Sequence, residues 1–460
     1  MELSLGEVKE SIGAKTSGPA SDAQLAVMRA IGWSIDSRQL NPGDLFFAIK
    51  GNNFNGHAFV EKAFDRGAVA AVVSETPAHP SCPALQVPDT IAALQKLAVH
   101  ARNLWNKPLV AITGSAGKTS TKEIVAVLLS TRFLISKTVG NLNNHLGLPL
   151  TLLRLNPDAD IGVVELGMNR AGELRHLAAI ARPQIGVVTN VGYAHIEAFS
   201  SIEGIAAAKR ELIEALPPDG VAVLNADDAR VAQFNRRYSG KVLTYGLAPS
   251  ADIRAVDLQT DWQRSSFIVN GTAFSTRLTG RHAVSNILAG LAVASLFEIP
   301  FPELVDTVRE LAPGKMRGER RQSNGITILD DSYNSNPEAA RSMLDVLAVE
   351  PATRRIAVLG EMLELGSWSD KLHAELGEYA AHLGIDILIG IRGASRHMVE
   401  QAIHAGMGKP TLVGSRAALF FEDPESAGDF LRSFVKPGDA VLFKGSRGTH
   451  VEQALAEMEK

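Results

Sequence analysis

Cysteine is almost absent: the 460 residues contain one, Cys82. A single thiol excludes an intramolecular disulfide and a zinc site of the cysteine type. The chain therefore suits a reducing compartment, and a cytoplasmic location is expected. Long apolar runs are also missing. The longest, Ile287 to Phe297, is flanked by Asn286 and Glu298 and is too short to span a bilayer, so it reads as a buried core helix. Met1 to Lys15 holds acidic residues and no apolar block, so neither a secretory signal nor membrane attachment is expected. Neither sign of charge dominates. With 46 Lys and Arg against 50 Asp and Glu, the net charge is −4, and nothing global favours nucleic acid.

What is present is ordinary for a globular chain. Apolar residues make up 45% and charged residues 21%, which excludes disorder throughout. At about 150 residues per domain, the length suggests roughly three domains. The first ~85 residues mix short strands (44–49 and 69–74) with a helix over 58–66, and then meet three prolines between Thr76 and Pro83, a connector. A helix over 90–105 follows, so the first boundary falls near residue 86.

The middle third alternates strands with helices. Strands are expected at 108–113, 161–165, 185–189 and 221–224, and helices at 119–131, 171–180 and 202–216. Such alternation predicts a parallel sheet with helices on both faces. Ser200 to Glu203 fits a capping box that would start the last of these helices. Residues 251–278 turn to period-2 patterning, a small antiparallel addition, and 282–297 is a long buried helix. Leu311-Ala312-Pro313-Gly314-Lys315 reads as a hinge. Beyond it the alternation resumes, with strands at 327–329, 355–359, 385–389 and 440–443. Helices are expected there at 337–346, 369–382, 396–405 and 428–434. The fold class is α/β, in units 1–86, 87–313 and 314–460.

The strongest local signal is an apolar strand running into Gly114-Ser115-Ala116-Gly117-Lys118-Thr119-Ser120 and then a helix. Glycines let backbone N–H groups turn inward around phosphate oxygens, and the helix N-terminus adds partial positive charge. Lys118 would reach the terminal phosphates, and Thr119 could hold Mg²⁺ through its hydroxyl. The usual phosphate loop has another glycine where Ile112 stands, so this is a shorter form, Gly-x-x-Gly-Lys-Thr. Glu165 ends an apolar strand, where ligands gather in such sheets; it reads as a metal ligand or a surface carboxylate. His195, just after the strand at 185–189, could ligate a second Mg²⁺, contact phosphate, or be a satisfied loop residue. Lys209, beside Arg210 and Glu211, would on its own be a solvated helix face.

Together these residues resemble the Mur ligase family of peptidoglycan synthesis, over essentially the whole chain. Asp36-Ser37-Arg38 with Gly43 to Ala48 is similar to the motif of its UDP-binding domain. The short phosphate loop is the family's own. Glu165 matches its Mg²⁺-binding glutamate, His195 its metal-associated histidine, and Lys209 the lysine carbamylated in several members. Gly280 to Asn286 resembles the adenine-side motif, with His282 and Asn286 four apart on one helix face. Arg317-Gly318-Glu319 and Asp330 to Pro337 resemble the segment that closes over ATP, Arg317 meeting phosphate and Asp331 the ribose side. Gly140-Asn141-Leu142-Asn143-Asn144 to Pro149, Val358 to Gly366 and Lys444 to Arg447 look most like the member adding D-alanyl-D-alanine. No Asp-Asn-Pro-Arg motif for meso-diaminopimelate is present.

The resemblance implies a small α/β N-terminal domain for the UDP substrate, a central P-loop ATPase-like domain and a Rossmann-like C-terminal domain. It implies ATP and Mg²⁺ as cofactors, and UDP-N-acetylmuramoyl-tripeptide and D-alanyl-D-alanine as substrates. The tripeptide carboxylate would take the γ-phosphoryl group of ATP, and the dipeptide amine would then displace phosphate. Lys118, His195, Lys209 and Arg317 would be catalytic. Gly114 to Ser120, Asn286, Arg317 and Asp331 would bind nucleotide, and Ser37, Arg38, Asn141 and Asn144 substrate. Thr119, Glu165, His195 and Lys209 would hold metal. A monomer is expected. Other readings are another Mur-type amino-acid ligase, a folate polyglutamate ligase, a nucleotide-hydrolysing switch, or a non-catalytic nucleotide-binding module.

Overall fold

The computed structural model describes residues 1–17, 20–51, 54–75, 83–408 and 416–460. Cys82 and nearly all of the proline-rich connector lie outside them. Three main sheets follow one another along the chain. In the first, Gly32–Ser34, Asp44–Phe47, Ala70–Val73 and Ala84–Gln86 run parallel, and Lys15–Ser17 closes one edge antiparallel. Helix Thr90–Trp105 then leads into the central sheet. Asp89 starts it by accepting the N–H groups of Ile91 and Ala92, and Asn106, at φ 33°, ends it. Its buried stripe of Leu94, Leu97, Ala98 and Ala101 has helical spacing, which fixes the face it turns inward.

The central sheet has nine strands, and Leu109–Thr113 lies in its interior between Ile161–Glu165 and Ile185–Val188. From Leu109–Thr113 the chain crosses by helix Lys118–Leu129 to the edge strand Ile135–Lys137, then returns to Ile161–Glu165 and moves to the opposite side. That reversal opens a crevice at the carboxyl ends of the strands, where the phosphate loop begins. The antiparallel strands expected at 251–278 are Ile253–Thr260, Ser265–Val269 and Thr272–Thr276. They extend this same sheet, because Ile253–Thr260 pairs parallel with Lys241–Gly246. Helix Arg281–Leu296 covers one face. Its Ile287, Leu288 and Leu291 are fully buried, each burial contributing about 1.5–3 kcal/mol.

The third sheet has the order Glu319–Ser323, Ile326–Asp330, Ala440–Lys444, Arg355–Gly360, Ile387–Ile391, Ala417–Phe421, all parallel but the first. Leu311 to Gly314, before it, carries no regular structure. Several expectations shift. The strand placed at 385–389 begins two residues later, because the Ile385 N–H still closes the preceding helix on the Ala380 carbonyl. The helix placed at 202 is capped by Ser201 accepting from the Gly204 N–H, so the Ser200 to Glu203 box does not form. Helix Pro424–Phe434 starts four residues before 428, where Asp423 accepts from Ser426 N–H at 2.7 Å. Glu319–Ser323 and Ala417–Phe421 are strands the patterning did not reveal. No helix among the described residues is long and apolar enough to cross a membrane.

Candidate active site

A cavity of about 500 Å³ opens between the central and C-terminal sheets. Its floor is the phosphate loop. Gly117, at φ 79°, lets the loop turn into helix Lys118–Leu129, and a Cβ there would come within 2.6 Å of Asn286 Oδ1. The segment after strand Ile185–Val188 braces the loop from behind. Asn190 Oδ1 accepts the Ala116 N–H at 2.8 Å, and Thr189 Oγ1 donates to the Ala116 carbonyl at 2.7 Å. Ser115 Oγ donates to the Gly192 carbonyl at 3.0 Å and accepts the Gly192 N–H at 2.8 Å. The loop is thus preorganised by its neighbour, and its free N–H groups need not rearrange to meet phosphate oxygens.

Lys118 Nζ folds back to donate to the Gly114 carbonyl at 2.7 Å. Burial pulls its pKa below the ordinary lysine value; the Glu165 carboxylate opposes this and the Arg317 guanidinium adds to it. An ammonium held this way gains from a polyanion arriving in the loop. Thr119 Oγ1 donates to Glu165 Oε2 at 2.8 Å, and Asn143 Nδ2 donates to Glu165 Oε1 at 2.7 Å. Glu165 is 3% exposed, with its own N–H on Thr138 Oγ1 at 3.1 Å. A hydroxyl and a carboxylate side by side are hard oxygen donors. They fit Mg²⁺, which is held by one or two protein oxygens plus substrate phosphates rather than by an all-protein cage. No cluster of three or more His, Cys, Asp and Glu side chains able to hold a metal exists among the described residues.

His195, at φ 65°, lines the cavity, but its Nδ1 lies against the Glu364 carboxylate of the C-terminal unit. Lys209 sits beneath the site, 1% exposed, not on a solvated face. Its pKa lies well below the ordinary lysine value, by burial first and then by Lys118, with Glu338 opposing. Asn286 accepts from Thr121 Oγ1 at 3.1 Å behind the loop, and burial lowers the pKa of His282 beside it, with Asp331 opposing.

From the C-terminal unit come Arg317, stacked 4.0 Å from the Tyr333 ring centroid, and Asp331, whose Oδ2 accepts from Lys444 Nζ at 2.5 Å. Asn141 and Asn144 line the cavity, and Asn144 Oδ1 accepts the Gly147 N–H at 2.9 Å just before helix Gly147–Leu153. Ser37 and Arg38 lie apart, after strand Gly32–Ser34 in the first sheet. Ser37 is buried, and Arg38 is paired with Asp36 at 2.8 Å. Three residues with clear contacts carried no sequence signal of a role. Asn143 orients Glu165, Lys444 holds Asp331, and Glu338 accepts the Tyr193 N–H at 3.0 Å. Asn143 and Lys444 stood inside segments already singled out, which was the available hint.

This convergence of a short phosphate loop, a strand-end glutamate and a second sheet bearing Arg317 and Asp331 has known counterparts. The Mur ligase middle domain matches residues 112–294, the glutamate ligase domain of Mur ligases 316–447, and the catalytic domain of the Mur ligase family 31–105. A UDP-N-acetylmuramoyl-tripeptide--D-alanyl-D-alanine ligase of Synechocystis is 37% identical over 431 residues, spanning 92% of this chain and 91% of that one. The chain belongs to the Mur ligase family.

An enzyme of the same name from Escherichia coli is 33% identical, across 92% of this chain and 93% of its own. Among solved structures, MurF from Acinetobacter baumannii superposes with a TM-score of 0.91 at 28% identity, covering 100% of this chain and 99% of that one. MurF from Thermotoga maritima in complex with ADP gives 0.81 at 30% identity, covering 94% and 97%. The Mur ligase fold, with its mixed α/β sheets, is therefore the fold of this chain.

Proposed function

We propose that this Mur ligase is an ATP-dependent amide ligase that adds D-alanyl-D-alanine to UDP-N-acetylmuramoyl-tripeptide. The observation that carries the reading is near-full-length similarity, 37% in one case, to enzymes of that name. The cleft supports it, because the phosphate loop and the C-terminal cations face one cavity. A carboxylate and an amine do not condense unaided in neutral water, so the carboxylate must first be activated. A tripeptide carboxylate oxygen attacks the γ-phosphorus of ATP, and ADP leaves. The dipeptide amine attacks the acyl carbon, loses a proton, and phosphate departs.

Phosphoryl transfer needs positioning and charge neutralisation more than protein nucleophiles. The Gly114 to Ser120 loop cradles the β- and γ-phosphates, with Lys118 and Arg317 meeting the charge that builds on the transferred group. Asp331 and Asn286 serve the nucleoside side. Thr119 and Glu165 would hold Mg²⁺, with His195 and a carbamylated Lys209 as further ligands; bound there, the metal supplies charge neutralisation at the phosphates. Ser37 and Arg38 serve the UDP end, and Asn141 and Asn144 the acceptor peptide. The working units are 1–86, 87–313 and 314–460, and the chain acts as a monomer in the cytoplasm. Closure of the last unit on the cleft keeps the acyl phosphate from water.

Phosphate release from ATP, measured with UDP-tripeptide and each candidate amino acid or dipeptide, tests the reading. Release strictly dependent on D-alanyl-D-alanine is expected. Equal release without it would end the proposal, and dependence on another amino acid would move the chain to a different Mur ligase step.

A further inference from the structure

The C-terminal unit reaches across the cleft to loops of the central sheet, and three of these contacts bear on the phosphate loop and the loop that carries His195. Asn336 Nδ2 donates to the Ser115 carbonyl at 3.3 Å, Glu338 Oε1 accepts the Tyr193 N–H at 3.0 Å, and the Glu364 carboxylate meets His195. Asn336 and Glu338 stand at the start of one helix, Pro337–Ala348, which Asn336 caps through the Ala339 N–H. Glu338 is the unusual member. It is the one carboxylate among these contacts whose second oxygen, Oε2, is buried without a hydrogen-bond partner. A buried carboxylate oxygen left unpaired is costly and needs a reason.

Glu338 also lines the cavity, and its carboxyl group is seated against Gly192. Gly192 has no side chain, and a Cβ there would stand 2.3 Å from Glu338 Cδ and 2.5 Å from Oε2. The carboxyl group therefore occupies the space a side chain at position 192 would fill. Gly192 in turn makes the two hydrogen bonds that fasten Ser115 of the phosphate loop. Tyr193, which donates to Glu338, is two residues before His195, and its ring packs 5.6 Å from that of Trp368 in the C-terminal unit. One carboxylate thus registers the C-terminal helix on the strand-end loop that both braces the phosphate loop and carries His195.

We infer that Glu338 is a positioning residue for the ligation, seated in the notch left by Gly192 so that docking of the C-terminal unit sets the phosphate loop and the His195 loop together. The inference rests on the ligase reading for its kinetic consequence, but not for its geometry. Three variants of the full chain test it: Glu338→Ala, Glu338→Gln and Gly192→Ala. Hydrogen exchange of the Tyr193 amide reads the contact directly, whatever the reaction. Loss of one hydrogen bond should speed that exchange by about fivefold in Glu338→Ala and Gly192→Ala. In the assay above, a misplacement of the order of 1 Å should lower kcat by about 100-fold in the same two variants. The KM for UDP-tripeptide should move by less than about threefold, since uniform binding is untouched. Glu338→Gln keeps an acceptor oxygen for the Tyr193 N–H, so it should recover to within about fivefold of the parent.

Unchanged Tyr193 exchange in Glu338→Ala would overturn the inference. So would a kcat near that of the parent, or a Glu338→Gln as poor as the alanine variant. If the parent shows no dipeptide-dependent phosphate release, the ligase reading has failed, and the exchange comparison decides the positioning role alone. If Gly192→Ala does not fold, the Ala and Gln pair at position 338 decides it.

Discussion

Lys209 shows at the residue scale how function and stability oppose one another here. A lysine 1% exposed, with its pKa pulled well down by burial and by Lys118, is a cost to the fold. Methionine has a similar length and no charge to desolvate. Lys209→Met should raise the thermal midpoint, since it removes a buried group whose charged form is disfavoured. It should also cut D-alanyl-D-alanine-dependent phosphate release by about 100-fold or more, the scale expected when a metal-site group is lost. Calorimetry beside the phosphate assay checks both signs; a destabilised but active variant would mean that Lys209 is a structural residue. Lys118, Thr119 and Glu165 could be read from sequence because each belongs to a short spaced motif or a strand end. Asn143 and Glu338 could not, because their partners Glu165 and Tyr193 lie 22 and 145 residues away. Only folding brings such pairs together.

Elements were legible where periodicity and caps agreed. Helix Thr90–Trp105 and strand Ile161–Glu165 fall where patterning puts them, since Asp89 and the apolar run leave no competing register. Glu319–Ser323 was not legible: its sequence, Glu-Arg-Arg-Gln-Ser, is that of an edge strand, polar because one side of its ladder is unpaired. The helix Pro337–Ala348 gives a prediction at this scale, because Asn336 both caps it and donates to the Ser115 carbonyl. Asn336→Asp keeps the capping oxygen and replaces the donor amide with a repelling anion. Asn336→Ala loses both, and the cap alone is worth about 1 kcal/mol. Thermal melting should therefore separate the variants, Asp staying near the parent and Ala falling below it. The turnover number should not separate them, both falling by a similar factor. Full activity in Asn336→Asp would show that the bond to Ser115 carries no weight.

At the scale of the whole molecule, helix Leu5–Ile12 of the N-terminal unit packs on helix Thr90–Trp105 of the central one, whereas the C-terminal unit follows a segment, Leu311 to Gly314, without regular structure. Its contacts with the central unit include a few hydrogen bonds, Tyr193 against Trp368, and Arg320 stacked 4.8 Å from the Trp262 ring centroid, beside a buried apolar cluster that runs through both units. The polar part of this interface is weak, since net hydrogen bonds contribute about 1 kcal/mol each and cation–π contacts about 0.5–1 kcal/mol. The cleft it closes holds Lys118 and Arg317, two cations that repel one another until a polyanion lies between them. Nucleotide should therefore draw the unit inward by removing that repulsion, not by adding apolar contact. A compact chain of this length has a radius of gyration of about 23 Å. Small-angle scattering should give a value above that without ligand. It should fall with a non-hydrolysable ATP analogue and UDP-tripeptide, as hinge closure of a unit onto a cleft requires. Arg317→Ala removes one of the repelling pair, so its ligand-free profile should already be shifted toward the closed one. Superimposable parent profiles with and without ligand would exclude closure as the step that shields the acyl phosphate.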